Sequence, residues 1–199
     1  MRKLYGHPLS GNTHRVRLLL SMLALPCEEH VVDMMGGEHR KPEFLRINPL
    51  GLVPVLVDEG NVIRDSHAIL VYLARRYQGG ERWLPAEPLG HAQVMQWLSF
   101  SANEIQNGPN LARLHFLAGV PVDLPAVQEK ARQAIKVVDE RLAGREWLEL
   151  DRPTIADLAC FPYIGLAEEG KVSLAPFGNA SAWCQRIKKL PGYVAMPGL

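Results

Sequence analysis

The sequence predicts a mixed α/β half followed by an all-α half. Strand and helix patterns alternate as β-α-β-α-β-β-α up to about Tyr77. Beyond a linker from Gln78 to Leu89, strand signals vanish and helical periodicity continues. A third observation is the proline inside the apolar run Val53-Pro54-Val55-Leu56. Proline cannot donate to a sheet ladder, so this position marks a special backbone feature.

Lys3-Leu4-Tyr5-Gly6-His7 reads as a first strand, stopped by Pro8. From about Thr13 to Leu25 the pattern is helical, with Val16, Leu19, Leu20 and Leu23 on one stripe and Arg15 and Arg17 turned elsewhere. Glu29 to Asp33 is a second strand, and Gly36-Gly37 breaks the chain. Pro42 to Ile47 is a short helix with proline at its start. Val53 to Asp58 and Val62 to Arg64 form a hairpin around Glu59-Gly60-Asn61. Ser66 to Tyr77 is a helix that sets Ile69, Leu70 and Leu73 on one face. Later helices are expected at Leu89–Asn107, Pro109–Ala118, Leu124–Leu142, Thr154–Glu168 and Ala180–Leu190. Gly108-Pro109 should kink or interrupt the first pair. Thr154-Ile155-Ala156-Asp157 has the form of a capping box with Asp in place of Glu. Trp83, Trp97, Trp147 and Trp183 are expected in the core or at an interface.

Composition narrows the function classes. The 199 residues are 47% apolar and 22% charged with a net charge of +1, as in an ordinary globular chain. No basic field points to nucleic acid, and no apolar run approaches the ~18 residues of a membrane span. The first residues lack the apolar centre of a signal peptide. Cys27, Cys160 and Cys184 are odd in number and widely spaced, against a disulfide framework and a structural zinc site. A reducing cytoplasm is the expected location.

A cis peptide before Pro54 would turn the backbone of Val53 outward, where a bound peptide could pair with it. Asp65 and Ser66 open the next helix beside it. Together they suggest a site for a small charged peptide.

Three segments then carry a resemblance: Tyr5-Gly6-His7-Pro8-Leu9-Ser10-Gly11-Asn12-Thr13-His14-Arg15-Val16, Asn48-Pro49-Leu50-Gly51-Leu52-Val53-Pro54, and Ile63-Arg64-Asp65-Ser66-His67-Ala68-Ile69. The stretch from Trp183 to Tyr193 adds to it. In this order and spacing the chain resembles the cytosolic glutathione transferases over nearly its whole length. It looks most like the serine-type, phi-like or related bacterial classes. The resemblance implies a thioredoxin-like glutathione-binding domain at residues 1–80 and an all-helical domain at residues 87–199.

It also implies roles. Ser10 would donate its hydroxyl to the glutathione sulfur and favour the thiolate, the nucleophile. Lowering a thiol pKa by about two units takes roughly 2.7 kcal/mol, within reach of one charged hydrogen bond of roughly 1.5–3 kcal/mol plus a helix N-terminus. Ser10 could equally be a helix N-cap. Asn12 could contact the sulfur or cap the helix. The Val53 backbone, before Pro54, would bond the cysteinyl part. Ser66 and its helix N-terminus would take the γ-glutamyl carboxylate and Asp65 the ammonium, where the family usually has Glu or Gln; Asp65 could also be an ordinary N-cap. His39 and Arg40 match positions that contact the glycyl carboxylate, though they could be a solvated loop. Leu52 falls where related enzymes use Gln or Lys to bind the peptide, so lower affinity is expected. The second substrate would sit near His7, Leu9, Asn107, Leu111, Arg113, His115 and Phe116. Leu50 could plug into a partner subunit in a homodimer.

The resemblance implies transfer of glutathione to an electrophilic small molecule, as in detoxification, with glutathione as co-substrate and no metal. Glutathione-dependent peroxide or disulfide reduction, and non-catalytic glutathione or ligand binding, are the competing readings.

Overall fold

The computed structural model describes residues 2–199. Strand β1 (Arg2–Gly6) leads through helix α1 (Gly11–Met22) to β2 (Glu28–Val31), and α2 (Pro42–Ile47) precedes the hairpin β3 (Val55–Asp58) and β4 (Asn61–Arg64). Helix α3 (Ser66–Arg76) closes this half. The sheet order is β2-β1-β3-β4; β1 and β2 are parallel and the other pairs antiparallel, so the sheet is mixed. The crossover helix α1 accounts for the parallel pair, and the short turn at Glu59-Gly60 for the antiparallel one. This is the predicted β-α-β-α-β-β-α order in a thioredoxin-like arrangement.

The second half is helical: α4 (Pro88–Phe100), α5 (Leu111–Ala118), α6 (Leu124–Arg141), α7 (Ile155–Gly165) and α8 (Gly178–Ile187). The kink or interruption expected at Gly108-Pro109 takes the form of a widened π segment, Ser101–Asn110, that contains Pro109 and through which the chain stays helical from α4 to α5. Wider turns accommodate a residue that cannot donate an N–H. Gly108 is needed for a different reason: a Cβ there would lie 3.0 Å from the backbone of Ala131 on α6.

One core joins the halves. Leu4, Leu19, Leu56, Ile69 and Leu73 from the first pack in the same cluster as Leu158, Phe161, Ile164 and Trp183 from the second. Each such side chain contributes roughly 1.5–3 kcal/mol on burial. Helix α7 is buried from Ile155 to Ile164, as expected for a helix with apolar residues on all sides. Its N-terminus carries the predicted capping box, and Asp157 also accepts from Leu148 N–H at 3.1 Å and Trp183 Nε1 at 2.9 Å. All four tryptophans are buried.

Arg15 corrects a simple reading of α1. It lies off the apolar stripe, yet it is 1% exposed. The second half covers that flank, with the Tyr163 ring 5.7 Å from the guanidinium carbon.

Candidate active site

Ser10 is the N-cap of α1, in extended backbone (φ −88°, ψ 114°), and its oxygen accepts the Thr13 N–H at 3.2 Å. Capping therefore occupies a lone pair and leaves the hydroxyl proton to donate. The next turn is fixed from the other half of the chain. The Asn12 N–H donates to the Tyr163 hydroxyl at 3.2 Å, and the Arg113 guanidinium donates to the Leu9 carbonyl at 2.8 Å. Arg113 is itself held by Glu169 at 2.5 Å. Burial pushes the Tyr163 phenol up, against the opposing Arg15 guanidinium, so it stays protonated.

A small cavity of about 80 Å³ gathers residues from three places in the chain. Asn12 comes from α1, Leu52, Val53 and Pro54 from the loop before β3, and Asp65 and Ser66 from the start of α3. Val53-Pro54 is the cis peptide expected from the sequence. The β1–β3 ladder ends at the Tyr5–Val55 pair, and among the described residues the Val53 N–H and C=O have no hydrogen-bond partner in the chain. Asn48 ties this loop down, donating to the Leu52 carbonyl at 2.7 Å and accepting from Leu50 N–H at 3.1 Å.

Asp65 is the N-cap of α3 and holds a left-handed φ of 75°. That conformation costs about 1–3 kcal/mol for a non-glycine residue. Its Oδ1 accepts from His67 N at 2.9 Å and Ala68 N at 3.0 Å, which fixes it there. The carboxylate thus caps the helix and remains open to solvent on its other side. Ser66 is buried, with its hydroxyl accepting from Arg15 at 3.3 Å.

His39 and Arg40 do not line this cavity. They stand on a short 3-10 turn, Glu38–Arg40, where Arg40 Nε donates to His39 Nε2 at 3.2 Å. The His39 carbonyl abuts Gly51, whose φ of +62° and close approach (2.9 Å to a Cβ) both require glycine.

The expected second-substrate lining is divided. Arg113 is buried as a strut between the halves. Asn107 and Leu111 instead face α6 across a groove of about 470 Å³ that also holds Phe100, Val127 and Val137. Phe116 is 46% exposed.

Sequence reasoning missed Arg64, which lines the cavity next to Asp65, and gave no role to Asn48, Tyr163 or Arg15. The Asn-Pro-Leu-Gly loop was signal enough for Asn48. Tyr163 lies 151 residues from its partner Asn12, and no local pattern announces that contact.

None of the cysteines is an activated thiol. Burial pushes Cys27 up to about 11 and Cys184 up to about 12, and raises Cys160 further. No group of three or more His, Cys, Asp or Glu able to hold a metal occurs among the described residues. No described helix is long and apolar enough to cross a membrane.

Residues 4–81 match the family model for the glutathione S-transferase N-terminal domain, and residues 121–191 the model for its C-terminal domain. Glutathione S-transferase 3 of Zea mays is 35% identical, with 96% of this chain and 90% of that protein covered. The chain belongs to the glutathione S-transferase family. Glutathione S-transferase D7 of Drosophila melanogaster is another relative of this transferase, 29% identical over 96% of this chain and 86% of that protein. The crystal structure of a glutathione S-transferase from Pseudomonas fluorescens [Pf-5] superposes with a TM-score of 0.92 at 33% identity, covering 98% of both chains.

Proposed function

We propose that this transferase binds reduced glutathione in the cavity between Asn12, Val53 and Ser66, and that Ser10 keeps its sulfur anionic for attack on an electrophilic small molecule. The observation that carries this reading is the convergence of three unlike groups on one cavity: the unpaired backbone of Val53, the N-terminus of α3 at Ser66, and the first turn of α1 at Asn12, two residues past the Ser10 cap. A peptide strand needs the first, a carboxylate the second, and a thiolate the third. Asp65 takes the γ-glutamyl ammonium. His39 and Arg40 serve the glycyl carboxylate at the outer end.

Each donor is in place before substrate arrives, so little reorganisation accompanies thiolate formation. Leu52 is 57% exposed, its side chain has no polar group, and its carbonyl already accepts from Asn48. Binding then rests on backbone and helix-terminus contacts, and affinity is modest.

The protein acts as a homodimer in the cytoplasm. Leu50 is 63% exposed in the loop before Val53. The groove between the π segment and α6 is lined by the apolar Phe100, Leu111, Val127, Ala134 and Val137 together with polar residues. An exposed leucine on one protomer and an apolar groove on its partner make a self-complementary contact possible.

Calorimetry of the folded protein with glutathione tests the reading: uptake below millimolar concentration supports it, and none at millimolar levels overturns it. Comparing a chlorinated aromatic with an organic hydroperoxide as second substrate separates conjugation from peroxide reduction.

A further inference from the structure

We propose that Arg15 is a positioning residue for the α-carboxylate of the γ-glutamyl group, acting from behind the site through the Ser66 hydroxyl and the His67 imidazole. This rests on the assignment of Ser66 to that carboxylate.

Arg15 is the only charged residue among the largest fully buried side chains. Guanidinium stays charged even when burial lowers its pKa. Among the described residues no carboxylate lies within ion-pair distance of it, and its Nε and one terminal nitrogen are buried without a partner. Leaving a buried charge unpaired is costly. It reaches Ser66 Oγ at 3.3 Å, on a residue that lines the cavity, and Nε2 of the next residue, His67, at 2.5 Å.

Those contacts fix the direction of every proton. A guanidinium only donates. Ser66 Oγ therefore accepts, and its hydroxyl proton is left to point at an incoming oxyanion. His67 Nε2 accepts as well, so the ring is neutral with its proton on Nδ1. Nδ1 stands 3.8 Å from Asp65 Oδ1. The Ser101 hydroxyl, at 3.1 Å from His67 Nε2, donates to the Ala159 carbonyl at 2.8 Å. The buried cation thus orients a donor for the carboxylate on one side. On the other it holds the ring of His67, the residue whose backbone N–H donates to Asp65 Oδ1 at 2.9 Å.

The guanidinium carbon lies 5.7 Å from the centroid of the Tyr163 ring, whose hydroxyl receives the Asn12 N–H. Arg15 therefore also ties the γ-glutamyl end to the start of α1.

The test compares kcat/KM for glutathione with that for 4-aminobutyryl-cysteinyl-glycine, which lacks only the α-carboxylate. The wild-type protein, Arg15→Met, Arg15→Lys and Ser66→Ala are measured at one pH. Wild type should prefer glutathione by about a hundredfold, and Arg15→Met should lose at least about tenfold of that preference, the loss of one charged hydrogen bond. The loss should fall on KM for glutathione rather than on kcat, and Arg15→Lys should recover part of it. A folded Arg15→Met protein that keeps the wild-type preference overturns the proposal. If Arg15→Met does not fold, Ser66→Ala and Arg15→Lys decide together: an unchanged preference in Ser66→Ala overturns the relay, and a collapse there that Arg15→Lys shares in part supports it. A wild-type protein that binds glutathione but does not distinguish the two peptides overturns the Ser66 assignment. One that binds neither overturns the glutathione reading itself.

Discussion

The Cβ position of Gly11 lies 2.7 Å from Cε1 of the Tyr163 ring. A residue of the first helical turn thus meets a side chain from the far half of the molecule with no space to spare. Gly11→Ala should push α1 away from Tyr163 and carry Ser10 with it. In an isolated helix this substitution would stabilise by roughly 1 kcal/mol. Here we expect a lower melting temperature and at least about a tenfold fall in kcat, equivalent to about 1.4 kcal/mol of transition-state stabilisation. Thermal unfolding and steady-state kinetics of the variant measure both; an active, more stable variant would show that the contact does not position Ser10.

Ser10→Ala removes a helix cap and the proposed thiolate donor together. The cap is worth about 1 kcal/mol of stability. Turnover should fall at least about tenfold, with glutathione affinity within about threefold of wild type, because the donated bond strengthens only when sulfur is charged. Unchanged turnover would transfer the role to Asn12.

Much of the first half was legible because glycine and proline punctuate it. Pro8, Pro26 and Gly36-Gly37 separate elements whose periodicities differ, and the structure follows that order. Val53-Pro54 and Asp65-Ser66 stood out locally, and the fold brings them to one cavity. Arg15 was not legible. Helical periodicity places it beside the apolar stripe, and packing of α7 and α3 against α1 buries it. Arg113 is one of the residues expected near the second substrate, and its bonds to Leu9 and Glu169 give it a role as a strut that no local pattern announces. Both roles were hidden for one reason: a contact between halves leaves no period in either half.

His14 and His67 should make the protein acid-sensitive. Burial, reinforced by nearby arginines, lowers His14 to about 3 and His67 to about 2. A depressed folded pKa gives stability that is complete above the unfolded value of about 6.5 and is lost as pH falls below it. Each histidine should contribute a slope of about 1.4 kcal/mol per pH unit once pH is well below 6.5. Both His14 ring nitrogens are buried without partners, near Phe161 and Tyr193. His14→Leu should therefore leave stability at pH 7.5 equal or higher and lower the acid slope between pH 6 and 4.5 by about 1.4 kcal/mol per pH unit. Urea unfolding across that range measures it, and a slope identical to wild type would show that His14 is charged in the folded state.

Leu50→Asp places a charge on the exposed residue proposed to enter the partner's apolar groove. Sedimentation should show a wild-type dimer and a largely monomeric variant at micromolar concentration, with the monomer fold retained by circular dichroism. A variant that remains dimeric would move the interface elsewhere.

The state of the bound sulfur is the most direct measurement. Thiolate absorbance near 240 nm, followed as the glutathione complex is titrated from about pH 4 to 10, reports the bound thiol pKa against a free thiol value of about 8.5. We expect a midpoint at least about one unit below that of free glutathione in the wild-type complex, and a return to the free value in Ser10→Ala. A wild-type midpoint equal to that of free glutathione would contradict the account, leaving a protein that holds the peptide without activating it.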